Sequence, residues 1–165
     1  MVSRGKVVIT GAFIGLGLFM LYLVYYASLD NPELEKAQVD LVNVKVLDVN
    51  SIDNRANLEV KFLVTNPGKK SITVSHITYE LSVNGKDVGN GEYNTEDISL
   101  PGRAAIYAGQ SVELTSKFNL VYTDQIADAY STVTNNELAT YKANGIISVE
   151  SAWSIVEKQF ETTLG

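Results

Sequence analysis

Residues Phe62 to Gly85 read FLVTNPGKKSITVSHITYELSVNG, and this stretch decides the fold. Leu58, Val60, Phe62 and Val64 alternate with Glu59, Lys61 and Thr65. A period of two is the mark of a strand with one face in a core and one in water. Asn66-Pro67-Gly68 then supplies turn chemistry, because proline presets φ and asparagine bonds its own backbone. A second apolar run follows, Ile72 and Val74, then Ile77, Tyr79, Leu81 and Val83. Its alternation slips by one residue, which predicts a β-bulge or a bend between sheets. Asn84-Gly85 between two strand-like runs predicts a two-residue hairpin.

The same period extends outward in both directions. Val42, Val44 and Val46 form a face between Asp40 and Asp48. Val112, Leu114, Phe118, Leu120 and Tyr122 share a face opposite Glu113, Thr115, Lys117 and Asn119. Strand-rich segments recur at 137–149 and 153–162, with Asn144-Gly145 read as a break. One helix interrupts them. Thr123 or Asp124 can cap it, and Ile126, Tyr130 and Val133 recur on one helical face. Such a helix is expected to plug an open end of a sandwich. Strands of this number and one short helix in ~130 residues predict a mainly β, immunoglobulin-like (Greek-key) β-sandwich over residues 37–165.

The N-terminus is of another kind. Val7 to Ala27 contains no charged residue, and as a helix it would be about 31 Å long, against ~30 Å of bilayer hydrocarbon. It is apolar on every side, unlike the striped helix of a soluble domain. We expect a cytoplasmic tail at 1–6, a single transmembrane α-helix at 7–27 and a polar spacer at 28–36. A cleaved signal peptide is the competing expectation. It is disfavoured by the length of the run and by Tyr26 at the −3 position of the obvious cut after Ser28. Arg4 and Lys6 precede the span, whereas Asp30, Glu33 and Glu35 follow it. The positive-inside bias then places the N-terminus in the cytoplasm and the C-terminal domain outside. Arg4, Lys6, Tyr22, Tyr25 and Tyr26 are candidate interfacial anchors. Gly11, Gly15 and Gly17 offer a candidate helix-packing face of the G-x-x-x-G kind.

Composition excludes a good deal. There is no cysteine and a single histidine among the 165 residues. Disulfides, thiolate-bound zinc, iron–sulfur clusters, thiol nucleophiles and multi-histidine metal sites are thereby closed. Removing Arg4 and Lys6 from the 13 basic residues leaves 11 beyond the span against all 19 acidic ones, a balance of −8. Such a charge speaks against nucleic acid as a partner, since that affinity comes from neutralising phosphates.

At this point a resemblance becomes visible. The series Asn66-Pro67, Ile72, Val74, Ile77, Tyr79, Leu81 and Asn84-Gly85 resembles the late embryogenesis abundant type 2 family, the WHy or water-stress and hypersensitive response domain. Gly89, Gly91, Leu100-Pro101, Phe118-Asn119-Leu120, Tyr122, Tyr141 and Gly145 continue the likeness over roughly 37–165. Gly68 stands where many members have a second asparagine. The resemblance implies an immunoglobulin-like sandwich with no catalytic centre and no cofactor, in some members membrane-anchored, and associated with stress protection and plant defence.

Candidate chemistry is sparse. His76 is the one imidazole, and adjacent Ser75 cannot be its nucleophile because neighbouring strand residues point to opposite faces. Asp48, Asn50 and Asp53 lack the ligand spacing, glycine and terminal glutamate of a calcium loop, and turn chemistry accounts for them better. Glu96 and Asp97 are adjacent and form no evident acid–base pair. Trp153 is expected in the core of the closing strand. Tyr93, Tyr107, Tyr122, Tyr130 and Tyr141 are expected mostly as sandwich filling, with a partner groove as the alternative.

The expectation is therefore a non-enzymatic module, stress- or envelope-associated, anchored in the cell membrane and binding proteins or lipid surfaces on its outer face. No catalytic residue, cofactor or metal ligand is assigned. Membrane lipid is the first partner, with other membrane or envelope proteins engaged through the helix or a sandwich edge. The alternative is an accessory single-pass subunit of an integral-membrane complex.

Overall fold

The computed structural model describes residues 4–94 and 105–165. A long helix, α1 (Arg4–Ser28), and a one-turn helix, α2 (Asn31–Leu34), precede the strands. Then come β1 (Gln38–Asn50), β2 (Arg55–Thr65), β3 (Ile72–Val83), β4 (Lys86–Asn94), β5 (Ala105–Ile106) and β6 (Ser111–Val121). A 3-10 turn at Asp124–Ile126 leads into α3 (Ala127–Thr134), and β7 (Tyr141–Glu150) and β8 (Ile155–Leu164) close the chain.

The strands make two antiparallel sheets, β1-β2-β6 and β4-β3-β7-β8, with β5 pairing the start of β3. The mainly β sandwich behind an N-terminal helix is thus the fold. Leu58, Val60, Phe62 and Val64 are all fully buried, as their alternation requires. They face Ile77, Tyr79, Leu81 and Val83 of the second sheet, and Phe62 meets Tyr79 edge-on at 4.9 Å between ring centres. Leu114, Phe118 and Leu120 complete the inner face of β6. Sandwiched rings and branched aliphatics at this density supply the main driving force for folding.

The slip in β3 is real. In its pairing with β7 the register jumps between Val74 and His76, so Ser75 is the bulged residue. A bulge of the same kind in β1 leaves Val42 unpaired between Leu41 and Asn43. It switches the inward parity from Val39 and Leu41 to Val44 and Val46. The Asn84-Gly85 hairpin closes on the Val83–Lys86 pair with positive φ at both turn residues, 50° and 80°. Asparagine and glycine tolerate that conformation best.

Two expectations about the closing strands fail. Asn144-Gly145 is no break, for β7 runs straight through it. Gly145 lies opposite Tyr79, and a Cβ there would stand 2.0 Å from the Thr78 carbonyl oxygen. Glycine is needed for close strand approach, not for a turn. Trp153 is not core: it is 70% exposed in the turn before β8, which starts at Ile155. Its size argued for burial, but it sits outside the ladder that would have carried it inward.

The sandwich edges lie side by side. The Leu41 N–H of β1 donates to Thr162 Oγ1 of β8 (2.9 Å, buried). On the other side, Ser116 Oγ of β6 donates to the Glu92 carbonyl of β4 (2.7 Å). Helix α3 lies against the Asn84-Gly85 hairpin, with Val83, Lys86, Asp128, Ala129 and Thr132 around a small depression between them. Ile126 and Val133 are buried and Tyr130 half-buried, the face that the periodicity marked. Of the two expected caps, Thr123 makes no side-chain cap bond, and Asp124 lies within the 3-10 turn, so that Ile126 occupies the cap position of α3.

Candidate functional site

The motif residues earn their places structurally. Asn66 is fully buried. Its Nδ2 donates to the Lys70 carbonyl (2.8 Å) and the Ile106 carbonyl (2.9 Å), and its Oδ1 accepts the Gly68 N–H (3.0 Å). One side chain thus ties the β2–β3 loop to β5, and Pro67 lies exposed in that loop. A Cβ on Gly68 would come within 3.0 Å of Asn66 Oδ1 and of Glu33 Oε2, so α2 packs where a side chain would stand. Asn84 does similar work at the opposite end, its Oδ1 accepting the Thr140 N–H at 2.9 Å.

Tyr79 lies between Gly91 and Gly145 on the neighbouring strands, and its ring fills the space over Gly91. Its hydroxyl is 2.9 Å from Ser116 Oγ. Burial pushes the phenol up to about 12. Burial likewise raises Tyr93 and Tyr141, which sit in or against the core. Tyr122 and Tyr130 meet edge-on at 5.4 Å, whereas Tyr107 is 60% exposed in the β5–β6 loop. The five tyrosines do not line one groove.

His76 is half-exposed, with Nδ1 3.6 Å from a Glu92 carboxylate oxygen. The bulged Ser75 turns its hydroxyl to the Ser148 carbonyl instead (3.4 Å). In the 48–53 turn, Asn50 Oδ1 accepts the N–H groups of Ile52 and Asp53, and Asp48 accepts from Asn57. Those side chains serve the turn and the strand pair, as turn chemistry predicted. Glu96, Asp97 and Leu100-Pro101 lie outside the described residues. On the outer face of the larger sheet, Thr78, Glu80, Asn90, Glu92, Asn144 and Ile146 rim an open depression of about 470 Å³. A hydrogen bond that protonated Glu80 donates to the Asp87 carboxylate, reinforced by the Asp87 charge, holds Glu80 above the usual carboxylate range.

Helix α1 is apolar and bare. Its most apolar window has a mean hydropathy of 2.1, and none of that window is buried against the other described residues. Its large side chains from Val8 to Tyr26 are 45–71% exposed. Tyr22 and Tyr26 stack at its C-terminal end (6.2 Å) beside Tyr25. A Cβ on Gly11, Gly15 or Gly17 would meet nothing within 4 Å. Arg4 and Lys6 belong to its first turns, and their side chains lie outside the described residues.

The segment expected as a spacer, 28–36, is built into the sandwich, and its contacts were not legible in the sequence. Asp30 is buried. It pairs with Lys70 and accepts Ser151 Oγ at 3.0 Å, while Asn31 accepts Ser154 Oγ. The Lys69 N–H donates to Glu33 Oε2 (2.7 Å), and Lys158 Nζ donates to the carbonyls of Glu35 (2.9 Å) and Ala37 (2.7 Å). Bonded to Asp30, the Lys70 ammonium is held above the ordinary lysine range. These partners lie 36 to 123 positions apart in the chain, so no local pattern announces them.

The fold therefore defines a class: a two-sheet β-sandwich carrying an N-terminal apolar helix long enough to cross a bilayer. No family model matches the chain, and no curated protein matches it. Among solved structures it is similar to the solution structure of an Arabidopsis thaliana protein. That match has 16% identity, covers 76% of this chain and 79% of the other, and has a TM-score of 0.51. It is also similar to a protein provisionally described as late embryogenesis abundant (13% identity, 98% and 90% covered, TM-score 0.44). A third is a protein from Archaeoglobus fulgidus (16% identity, 76% and 94% covered, TM-score 0.43). At such identities the likeness is one of fold.

Proposed function

We propose that this chain is a non-enzymatic, membrane-anchored β-sandwich module, held by α1 and displayed on the outer face of the cell membrane, where it binds lipid surfaces or envelope proteins. The observation that carries the reading is the bareness of α1. Among the described residues, fourteen large apolar side chains between Val8 and Tyr26 are 45–71% exposed, an exposure that water penalises by roughly 25 cal/mol per Å² and a bilayer does not. The charges flanking the span support an inward N-terminus. The resemblance of 37–165 to the late embryogenesis abundant type 2 family supports a binding and protective role in stress.

Membrane fractionation with an alkaline wash, followed by protease treatment of intact cells, tests it. Full-length protein is expected in the washed membranes, with its C-terminal domain cut from outside. Recovery in the aqueous supernatant, or a domain shielded until lysis, would sink the reading. A mature chain shortened by about the length of α1 would make the helix a signal sequence instead.

One observation favours a second reading. Among the described residues nothing uses the small size of Gly11, Gly15 and Gly17, which suits close packing against another membrane helix in a complex. Native mass measurement in gentle detergent separates the two, since a monomer counts against the subunit.

A further inference from the structure

We infer that the sandwich does not swing on a tether but sits on the bilayer by one end, with Trp153 and Tyr107 in the lipid headgroup layer. The inference rests on the anchor reading above and adds an orientation and a contact surface to it. Its first support is the junction. From Tyr26 to Ala37 the backbone is bonded turn by turn: Leu29 to Tyr26, Asp30 to Ala27, Leu34 to Asp30, Glu35 to Asn31, Ala37 to Leu34. Strand β1 begins one residue later. Asp30 and Asn31 are clamped from the side by Lys70, Ser151 and Ser154. No free linker separates the apolar helix from the sandwich.

The second support is what this end exposes. The β7–β8 turn that clamps Asp30 is the turn that carries Trp153. Ser151 Oγ accepts the N–H groups of Trp153 (3.2 Å) and Ser154 (3.1 Å) while donating to Asp30. Tyr107 lies in the next loop, joined to Asn66 by the Gly109 N–H (2.7 Å). Ile155 is 65% exposed, and Leu29, Lys69 and Lys70 are exposed beside them. Tryptophan, tyrosine and lysine are the residues that favour a membrane–water interface. Tyr22, Tyr25 and Tyr26 bring the helix into the same layer, so the surface continues the span. The opposite end exposes Ile52 and Leu138 too, but it is the end remote from the span, and Asp53, Asp87, Asp128 and Glu137 stand at its tips beside Arg55 and Lys86.

Trp153 is the only tryptophan in the chain, so its fluorescence reads the contact directly. The full-length protein is reconstituted into phosphatidylcholine vesicles with and without a phospholipid bearing a nitroxide near its headgroup, and aqueous iodide is added in parallel. Seating predicts blue-shifted emission, strong quenching by the labelled lipid and protection from iodide. Vesicle flotation with emission open to iodide and untouched by the labelled lipid would overturn the seating while leaving the anchor intact. Protection from iodide without lipid quenching would also overturn it, because the ring would then be covered by protein. Failure to float with the vesicles would overturn the anchor and the seating together. A Tyr107→Trp chain in a Trp153→Phe background should repeat the pattern. In a second variant, Asp30→Ala with Ser151→Ala, flotation should persist while iodide gains access to Trp153; unchanged protection would refute the clamp.

Discussion

Asn66 and Tyr79 show how single residues hold this sandwich. The Asn66 side chain makes three hydrogen bonds in a fully buried site, and an orphaned buried donor or acceptor costs about 1–3 kcal/mol. Asn66→Ala should therefore lower stability by about 2–4 kcal/mol, read as a shifted urea midpoint in mild detergent. Asn66→Asp should not rescue it, because a carboxylate cannot donate to the Lys70 and Ile106 carbonyls. Tyr79 makes a pH-dependent prediction. Its phenol ionises near 10 when unfolded and near 12 when folded. The folded state then retains a proton that the unfolded state loses, so stability falls as pH rises from 10 to 12. Two units correspond to about 2–3 kcal/mol. In Tyr79→Phe that part of the alkaline loss should vanish, leaving the smaller contributions of Tyr93 and Tyr141. An alkaline limb of unchanged depth in the variant would refute the assignment.

At the scale of elements, close strand approach and register do the work. Gly145 has the Thr78 carbonyl oxygen where a Cβ would stand. Gly145→Ala must push β3 and β7 apart, and an overpacked core typically loses about 1–3 kcal/mol. Gly85→Ala meets open space but keeps φ at +80°, and it should cost only about 1 kcal/mol. Thermal denaturation of the two variants should rank them in that order. The bulge at Val42 explains why β1 has two inward parities. Its deletion would turn Val44 and Val46 toward solvent or strip Val39 and Leu41 from the core, so the shortened chain should lose its cooperative transition.

For the whole molecule, the decisive feature is the rigid passage from α1 into the sandwich. If residues 29–37 are as firmly held as their bonds imply, the amides of Glu33, Leu34 and Ala37 should exchange with solvent on the timescale of the adjacent β1 strand. Exchange at the rate of an exposed linker would contradict the junction. With the edges of the two sheets bridged by Thr162 and Ser116, the exposed end loops offer the more open contact surface.

Much was legible because it is local. Alternation placed the inward faces of β2, β3 and β6, the slip placed the Ser75 bulge, and Asn84-Gly85 announced its hairpin. The length and apolarity of the first helix stood out in the same way, since side-chain periodicity and span length are properties of neighbouring residues. What the tertiary structure alone decided is long-range. It placed Gly145 inside a strand because Tyr79 and Thr78 come to it from 66 and 67 positions away, and it put Trp153 on a turn outside the ladder. It also joined Asp30 to Lys70 and Ser151 across 40 and 121 positions. Those pairings depend on which loops meet at one end of the sandwich, and only the order in which the strands cross between sheets brings those loops together.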